Sequence, residues 1–319
     1  MKINDYVRIL KGIATYLPFI KSSVDIRTGG TESARYCYSV WLRHLVIAKK
    51  NGLLKRNFDT VAELGPGDSI GTGIAALISG ANNYYAFDVV RYANIEKNLK
   101  IFKELISLFK ERADIPDHRE FPKLKPYLKS YAFPKQILSD RKLDELLKPK
   151  RIAAIKNAIE NMDKMVTQNK IKICYFVPWD DASIIRNNSI DIIFSQAVLE
   201  HVDKLFDTYR AMFNWLKNDG FISHTIDFKS HGFANEWNGH WLYSNFVWKL
   251  IRGKRPYLIN REPYGAHINF INNSGFRLVT EIKIKEKSNI NKKDLAGKFK
   301  NLSNDDFTTR GVFIQAVKK

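Results

Sequence analysis

The chain has 319 residues, 45% of them hydrophobic, and a formal net charge of +19. That length provides ample core for one large domain or two small ones, and the composition excludes fibrous and disordered classes. No apolar run approaches the roughly 20 residues of a membrane-spanning helix, and the basic balance suits an anionic partner (nucleic acid, a phosphorylated small molecule or an acidic bilayer) or reflects nucleotide bias alone. The two cysteines, Cys37 and Cys174, are far apart and lack metal-ligand spacing. With no apolar leader in the first residues, a reducing cytoplasmic location is expected.

Residues 3–20 place Ile3, Val7, Leu10, Ala14 and Leu17 at near-helical spacing among Lys2, Arg8 and Lys11, with Pro18 as the expected stop. Such a helix packs on its own domain or lies peripherally on an anionic membrane. After the Gly29-Gly30 turn, Thr31 or Ser33 caps a second helix that runs to about Lys50. It carries Arg35, Tyr36, Tyr38, Trp41 and His44, as a buried aromatic face or a lid over a ligand. Residues 1–54 are read as a helical N-terminal cap on a domain spanning 55–319.

The most informative stretch is Val61-Ala62-Glu63-Leu64-Gly65-Pro66-Gly67-Asp68-Ser69-Ile70-Gly71. A short apolar strand, a Gly-Pro-Gly turn and a small-residue helix form the opening of a nucleotide-binding α/β unit. No Gly-Lys-Ser/Thr follows, which excludes a P-loop. The third glycine falls one residue late for a dinucleotide fingerprint, and Glu63 would repel a phosphate. A carboxylate there suits an ammonium group instead. S-adenosylmethionine (SAM) carries an amino group, a carboxylate and a sulfonium, and no phosphate. A second strand at 84–90 brings Asp88 to its tip, where an acid can accept both ribose hydroxyls.

The next clear strand is 171–177, so 91–170 is an insertion, helical at 94–112 and 139–167. It holds nineteen Lys/Arg against eleven Asp/Glu, and is either a substrate cap or a structural embellishment. Then come the loop Pro178-Trp179-Asp180-Asp181-Ala182-Ser183 and a strand at 189–196 ending in Ser195-Gln196. Val198-Leu199-Glu200-His201-Val202, a helix at 206–216 and a strand at 221–227 follow. A helix at 264–274 and two strands, 276–284 and 311–317, forming an antiparallel hairpin complete a Rossmann-like α/β fold. Its seven-stranded, mostly parallel sheet has helices on both faces.

This order of motifs resembles the class I SAM-dependent methyltransferases over about residues 60–227, without the insertion, in the branch that modifies small molecules and sugars. The Glu-Leu-Gly-Pro-Gly-Asp-Ser version also resembles bacterial methyltransferases that accompany surface-polysaccharide genes. The resemblance implies that Glu63, Gly65, Pro66, Gly67, Asp68 and Ser69 hold the methionine part and Asp88 the ribose. It assigns Asp180 or Asp181, with Ala182, to the adenine, and places Ser195, Gln196, Glu200 and His201 beside the cofactor.

Chemistry is expected at the carboxyl ends of the strands. His224-x-x-Asp227-x-x-x-His231 lies there, with His224 or His231 as general base oriented by Asp227. A metal held by Asp227 and histidines is a lesser alternative, because the spacing matches no zinc pattern. The aromatic segment 228–265 and Arg252, Lys254, Arg255 and Arg261 are candidates for stacking on a sugar and holding a phosphate. The expected reaction is O-methylation of a small-molecule or saccharide acceptor in surface-saccharide biosynthesis. The alternatives are a nucleic-acid methyltransferase, which lacks its usual motifs here, and a binding module without turnover.

Overall fold

The computed structural model describes residues 3–17, 30–162, 170–179, 181–255 and 257–319. Expectations for Pro18, the Gly29 half of the turn and Asp180 lie outside the described residues. The elements in chain order are α1 (Ile3–Ala14), α2 (Ala34–Lys50), β1 (Thr60–Leu64), α3 (Gly71–Ile78), β2 (Asn83–Phe87), α4 (Ile95–Lys110), α5 (Asp140–Leu146), α6 (Pro149–Glu160) and β3 (Lys172–Phe176). They continue with β4 (Ile190–Gln196), α7 (Leu205–Trp215), β5 (Leu216–Asp227), α8 (Asn245–Arg252), α9 (Tyr264–Asn273), β6 (Phe276–Lys285), α10 (Asn304–Thr308) and β7 (Thr309–Lys318).

The strands form one sheet in the order β3-β2-β1-β4-β5-β7-β6. The first five are parallel, and β7 runs against both its neighbours, so the sheet is mixed. The chain moves outward from β1 to β3, then crosses back to place β4 on the other side of β1. The strand order therefore reverses between β1 and β4, and a crevice opens beyond their carboxyl ends.

Period-two alternation assigns the side chains to two faces. Val61, Tyr84, Ile192 and Phe194 face a core built with α2, α3, α4 and α6. Ala62, Leu64, Phe87 and Ile193 face a second core built with α7 and α9. α2 belongs to the first core: Trp41 is fully buried and donates through Nε1 to Ser79 Oγ at 2.7 Å. Ser33 caps α2 by accepting from Tyr36 N at 3.3 Å. Ser33→Ala is expected to cost about 1 kcal/mol, readable by urea denaturation.

Several boundaries differ from expectation. The stretch 139–167, expected to be helical, holds two helices in its described part, because Pro149 sits at the first turn of α6, where a missing N–H is harmless; residues 163–167 lie outside the described residues. The insertion packs through Leu105, Phe109, Leu143, Ile155 and Ile159 into the first core. The buried Arg43 of α2 ties it down, donating to the carbonyls of Pro116, Leu124 and Pro126. In α1 the expected apolar face is largely exposed: Ile3, Val7 and Leu10 are open to solvent, as is Leu17 beyond its end. Its contact with α8 instead runs through Gly12, whose missing side chain admits the Leu250 carbonyl.

Candidate functional site

Two connected chambers occupy the crevice beyond β1 and β4. One, of about 360 Å³, is lined by Glu63, Gly65, Pro66, Gly67, Gln196 and His231, among others. The other, of about 530 Å³, is mostly apolar and lined by Leu64, Phe87, Trp179, Ala182, Val198 and Ala211, among others. Gly65, Asp88, Val89, Val198, His201 and Tyr257 border both. The space is thus a bent slot with a polar end, an acid at its waist and an apolar end.

The polar end is shaped by the glycine turn. Gly65 and Gly67 adopt φ of +62° and +74°, a region that side chains disfavour. A Cβ on Gly65 would lie 2.6 Å from a Val198 methyl, so glycine is required for space as well as conformation. Ser69 does not line the slot. Its hydroxyl donates to the Thr31 carbonyl and accepts from Gly71 N at 3.0 Å, while its N–H donates to Thr31 Oγ1 at 3.3 Å. These bonds carry Thr31 to the slot wall. Asp68 is likewise buried and off the lining.

Glu63 is the chemically unusual group. It is 3% exposed in a central strand and accepts from Tyr84 Oη at 2.5 Å. Burial is the main cause that lifts its carboxyl to about 8, while the Tyr84 bond pulls it back. Asp88 accepts from Val89 N at 2.8 Å and from Gly67 N at 3.4 Å. Burial raises it to about 6 against those amide bonds, leaving it an anion at neutral pH. Its outward neighbour Val89 begins the apolar chamber.

In that chamber Trp179 packs against Phe87 and Trp215, with ring centroids 5.4 Å away in each case. Ala182 lines it. Asp181 does not: its carboxylate is exposed and accepts from the N–H and hydroxyl of Ser183 at 2.8 and 2.7 Å. The sequence pattern passed over Trp179, Val89, Val198 and Tyr92 as lining residues, whereas Tyr257, in the aromatic segment expected to meet the acceptor, borders both chambers. For Val89 a signal existed, since it follows the strand-tip acid. Tyr257 arrives from a loop with no periodic pattern.

The proposed bases separate. His224 is fully buried inside β5, with Nδ1 2.8 Å from Ser195 Oγ, and its ring faces Tyr209. Burial drives it down to about 3, and neither His224 nor Ser195 touches the slot. A general-base role for His224 is therefore set aside, because no acceptor can reach it. Asp227 and His231 stand at the rim, with Asp227 Oδ2 4.0 Å from His231 Nε2 and 2.8 Å from Lys229 Nζ. His201 borders both chambers, and its ring lies 5.2 Å from that of His231. Desolvation lowers both histidines, His201 to about 4, so they are neutral at pH 7.

Glu200, expected beside the cofactor, is buried behind His201. The amides of Glu200 and Asp227 lie close enough to favour its anion somewhat, yet neither forms a hydrogen bond with it, and desolvation raises the carboxyl well above its usual range. The expected phosphate-binding Arg261 is buried and spent on Tyr243 O and Asn245 Oδ1, at 2.8 Å each. Arg252 pairs with Asp203 at the apolar chamber. Trp241, Tyr243 and Trp248 pack into two small satellite cores. Among the described residues, none of 95–162 lines either chamber.

No protein-family model and no curated protein matches the chain. Solved structures do. A SAM-dependent methyltransferase from Mesorhizobium loti is 11% identical over 84% of this chain and 94% of its own, with a TM-score of 0.39. One from Methanosarcina mazei is 11% identical over 82% and 93%, with a TM-score of 0.38. Phosphoethanolamine N-methyltransferase 2 from Haemonchus contortus, solved with SAM, is 14% identical over 87% of this chain and 52% of its own, with a TM-score of 0.40. These likenesses are distant, and the slot's own geometry has to carry any functional conclusion.

Proposed function

We propose that the chain is a SAM-dependent methyltransferase acting on an oxygen of a small-molecule or saccharide acceptor. The observation that carries this reading is a buried carboxyl, Glu63, behind a positive-φ glycine turn, with Asp88 at the waist of a slot whose far end is apolar. Those three features match the three parts of the ligand. Glu63 takes the ammonium group and the turn accommodates the carboxylate of the methionine part. Asp88 accepts the ribose hydroxyls, and Phe87, Val89, Trp179 and Val198 enclose a flat base. Gln196, His201 and His231 line the polar chamber and would face the sulfonium and the acceptor.

The donor methyl is activated by its positive sulfur, so the protein's task is alignment and removal of one proton. The acceptor oxygen attacks the methyl carbon and the C–S bond breaks. Its electron pair stays on sulfur, and the hydroxyl proton passes to the Asp227–His231 pair. A saccharide in surface-polymer synthesis is the acceptor class we favour, because the rim presents several hydrogen-bonding groups rather than a second apolar pocket.

Calorimetry with SAM tests the reading. Binding is expected at micromolar SAM, and Asp88→Ala should weaken it roughly 10- to 100-fold, the value of hydrogen bonds to a charged acceptor. Absence of binding at millimolar SAM in the folded wild-type protein would refute it.

A further inference from the structure

His201 and His231 line the polar end of the slot, and Glu200 is buried behind them, although the three come from different strand ends. Glu200 and His201 lie in a single helical turn after β4, and His231 lies four residues beyond β5. β4 and β5 are neighbours, paired as far as Gln196 and Thr225, so their extensions meet. One ligating atom from each of the three residues lies within 4.8 Å of the other two.

Three observations point to a cation. The first is Glu200 itself: it is 2% exposed, and neither carboxylate oxygen has a hydrogen-bond partner. An ionised carboxylate buried without partners costs several kcal/mol, so such a group stays protonated until a cation pairs with it or binds it. Lys229, a cation that acts on it from a distance, is held by Asp227 at 2.8 Å instead.

The second is the tautomer of His201. Its Nδ1 lies 2.8 Å from the Tyr257 carbonyl oxygen. A carbonyl only accepts, so Nδ1 carries the proton and Nε2 keeps its lone pair. A histidine ligand whose other nitrogen donates to a backbone carbonyl is the usual outer-shell arrangement of a metal site. The third is His231, a non-glycine residue at φ +46°. That backbone region is sparsely populated and is concentrated at functional positions. It turns the ring back toward His201, edge to face at 70°.

We propose that Glu200, His201 and His231 hold a divalent first-row transition-metal cation, with its remaining positions open to two oxygens of the acceptor. Two imidazoles and one carboxylate suit zinc, cobalt, manganese or ferrous iron, and three protein ligands leave room for exogenous oxygens. A bound cation supplies the charge that Glu200 lacks. It would also orient a diol or hydroxy-carbonyl acceptor and acidify its hydroxyl, and with His231 engaged as a ligand the proton would pass to Asp227. The acceptor half of this inference rests on the methyltransferase reading; the cation half does not.

Titration of the full-length, SAM-free protein with cobalt(II), read by ligand-field absorption, should give one equivalent of bound ion. Glu200→Gln, His201→Ala and His231→Ala should each weaken it about 100-fold or more, beyond the loss typical of an outer-shell partner. Zinc should raise the melting temperature of the wild type and leave that of Glu200→Gln unmoved. The ion-free Glu200→Gln protein should itself be at least as stable as wild type, because the unpartnered carboxylate is gone. Acetohydroxamate, a bidentate oxygen chelator, should shift the cobalt spectrum; an unshifted spectrum would overturn the open positions. Absence of stoichiometric binding, or binding that survives all three substitutions, would overturn the site. Asp88→Ala should keep the cobalt titration, so failure of SAM binding and failure of the cation site are read separately.

Discussion

Replacing Glu63 by alanine should weaken SAM binding about 10²-fold or more, because it removes one partner of a buried charge pair, a loss of about 3–5 kcal/mol. The pH dependence is more diagnostic. In the ligand-free protein, burial holds the Glu63 carboxyl protonated up to about 8. An ammonium group favours the ionised form, so binding releases a proton below that pH. Affinity should therefore rise up to about tenfold per pH unit from pH 6 towards about 8, where the ligand's own α-ammonium begins to lose its proton and the gain ends. Glu63→Gln should remove the slope. Calorimetry in buffers of different ionisation enthalpy measures the proton directly; an unchanged apparent enthalpy across buffers at pH 7 would deny the pairing. Stability carries the opposite sign. The unfolded chain releases this proton in the ordinary carboxyl range, while the native state keeps it to about 8. Ligand-free stability should therefore fall as pH rises through that window, and the fall should be shallower in Glu63→Gln.

Gly73→Ala should destabilise the protein by about 3 kcal/mol, the upper end for overpacking a core. α3 is buried along its whole length, and a Cβ at position 73 would lie 2.0 Å from Cζ of the Tyr84 ring. Tyr84 is fully buried, so its ring cannot swing out into solvent to make room. Its hydroxyl is the donor to Glu63, so displacing the ring also disturbs the slot. Urea denaturation should show a lower midpoint, and SAM affinity should fall in the same variant. A stable Gly73→Ala protein with normal SAM affinity would mean that α3 and β2 are not so closely packed.

The parallel strands were legible because β1 to β4 and the second half of β5 are short, mainly apolar runs bounded by polar or turn residues. Glu63 was legible because an acid in a buried strand conflicts with its surroundings. His224 misled because it stands near other polar groups in sequence. In space it is three residues short of the end of β5, about 10 Å below the rim at strand rise, and its alternation turns it onto Tyr209. The partnership of His201 with His231 carried no spacing signal at all. It arises from the pairing of β4 with β5, which brings together residues thirty positions apart. Asp181 shows a third limit: an acid in the right loop is drawn to the nearest amide, here that of Ser183, and then faces solvent.

β7 lies furthest along the chain of all the strands, yet it is an interior strand, paired on one side with β5 and on the other with β6. The sheet therefore cannot grow by adding each strand to a finished edge. Until residues 309–318 arrive, β5 presents bare amides and carbonyls and β6 has no ladder partner. Gln315 also reaches the His44 carbonyl and the Ser223 hydroxyl, linking β7 to the N-terminal α2. A nascent or proteolytically shortened chain lacking this strand would expose an edge suited to pairing with another molecule, which makes completion of the sheet the step most vulnerable to aggregation during folding.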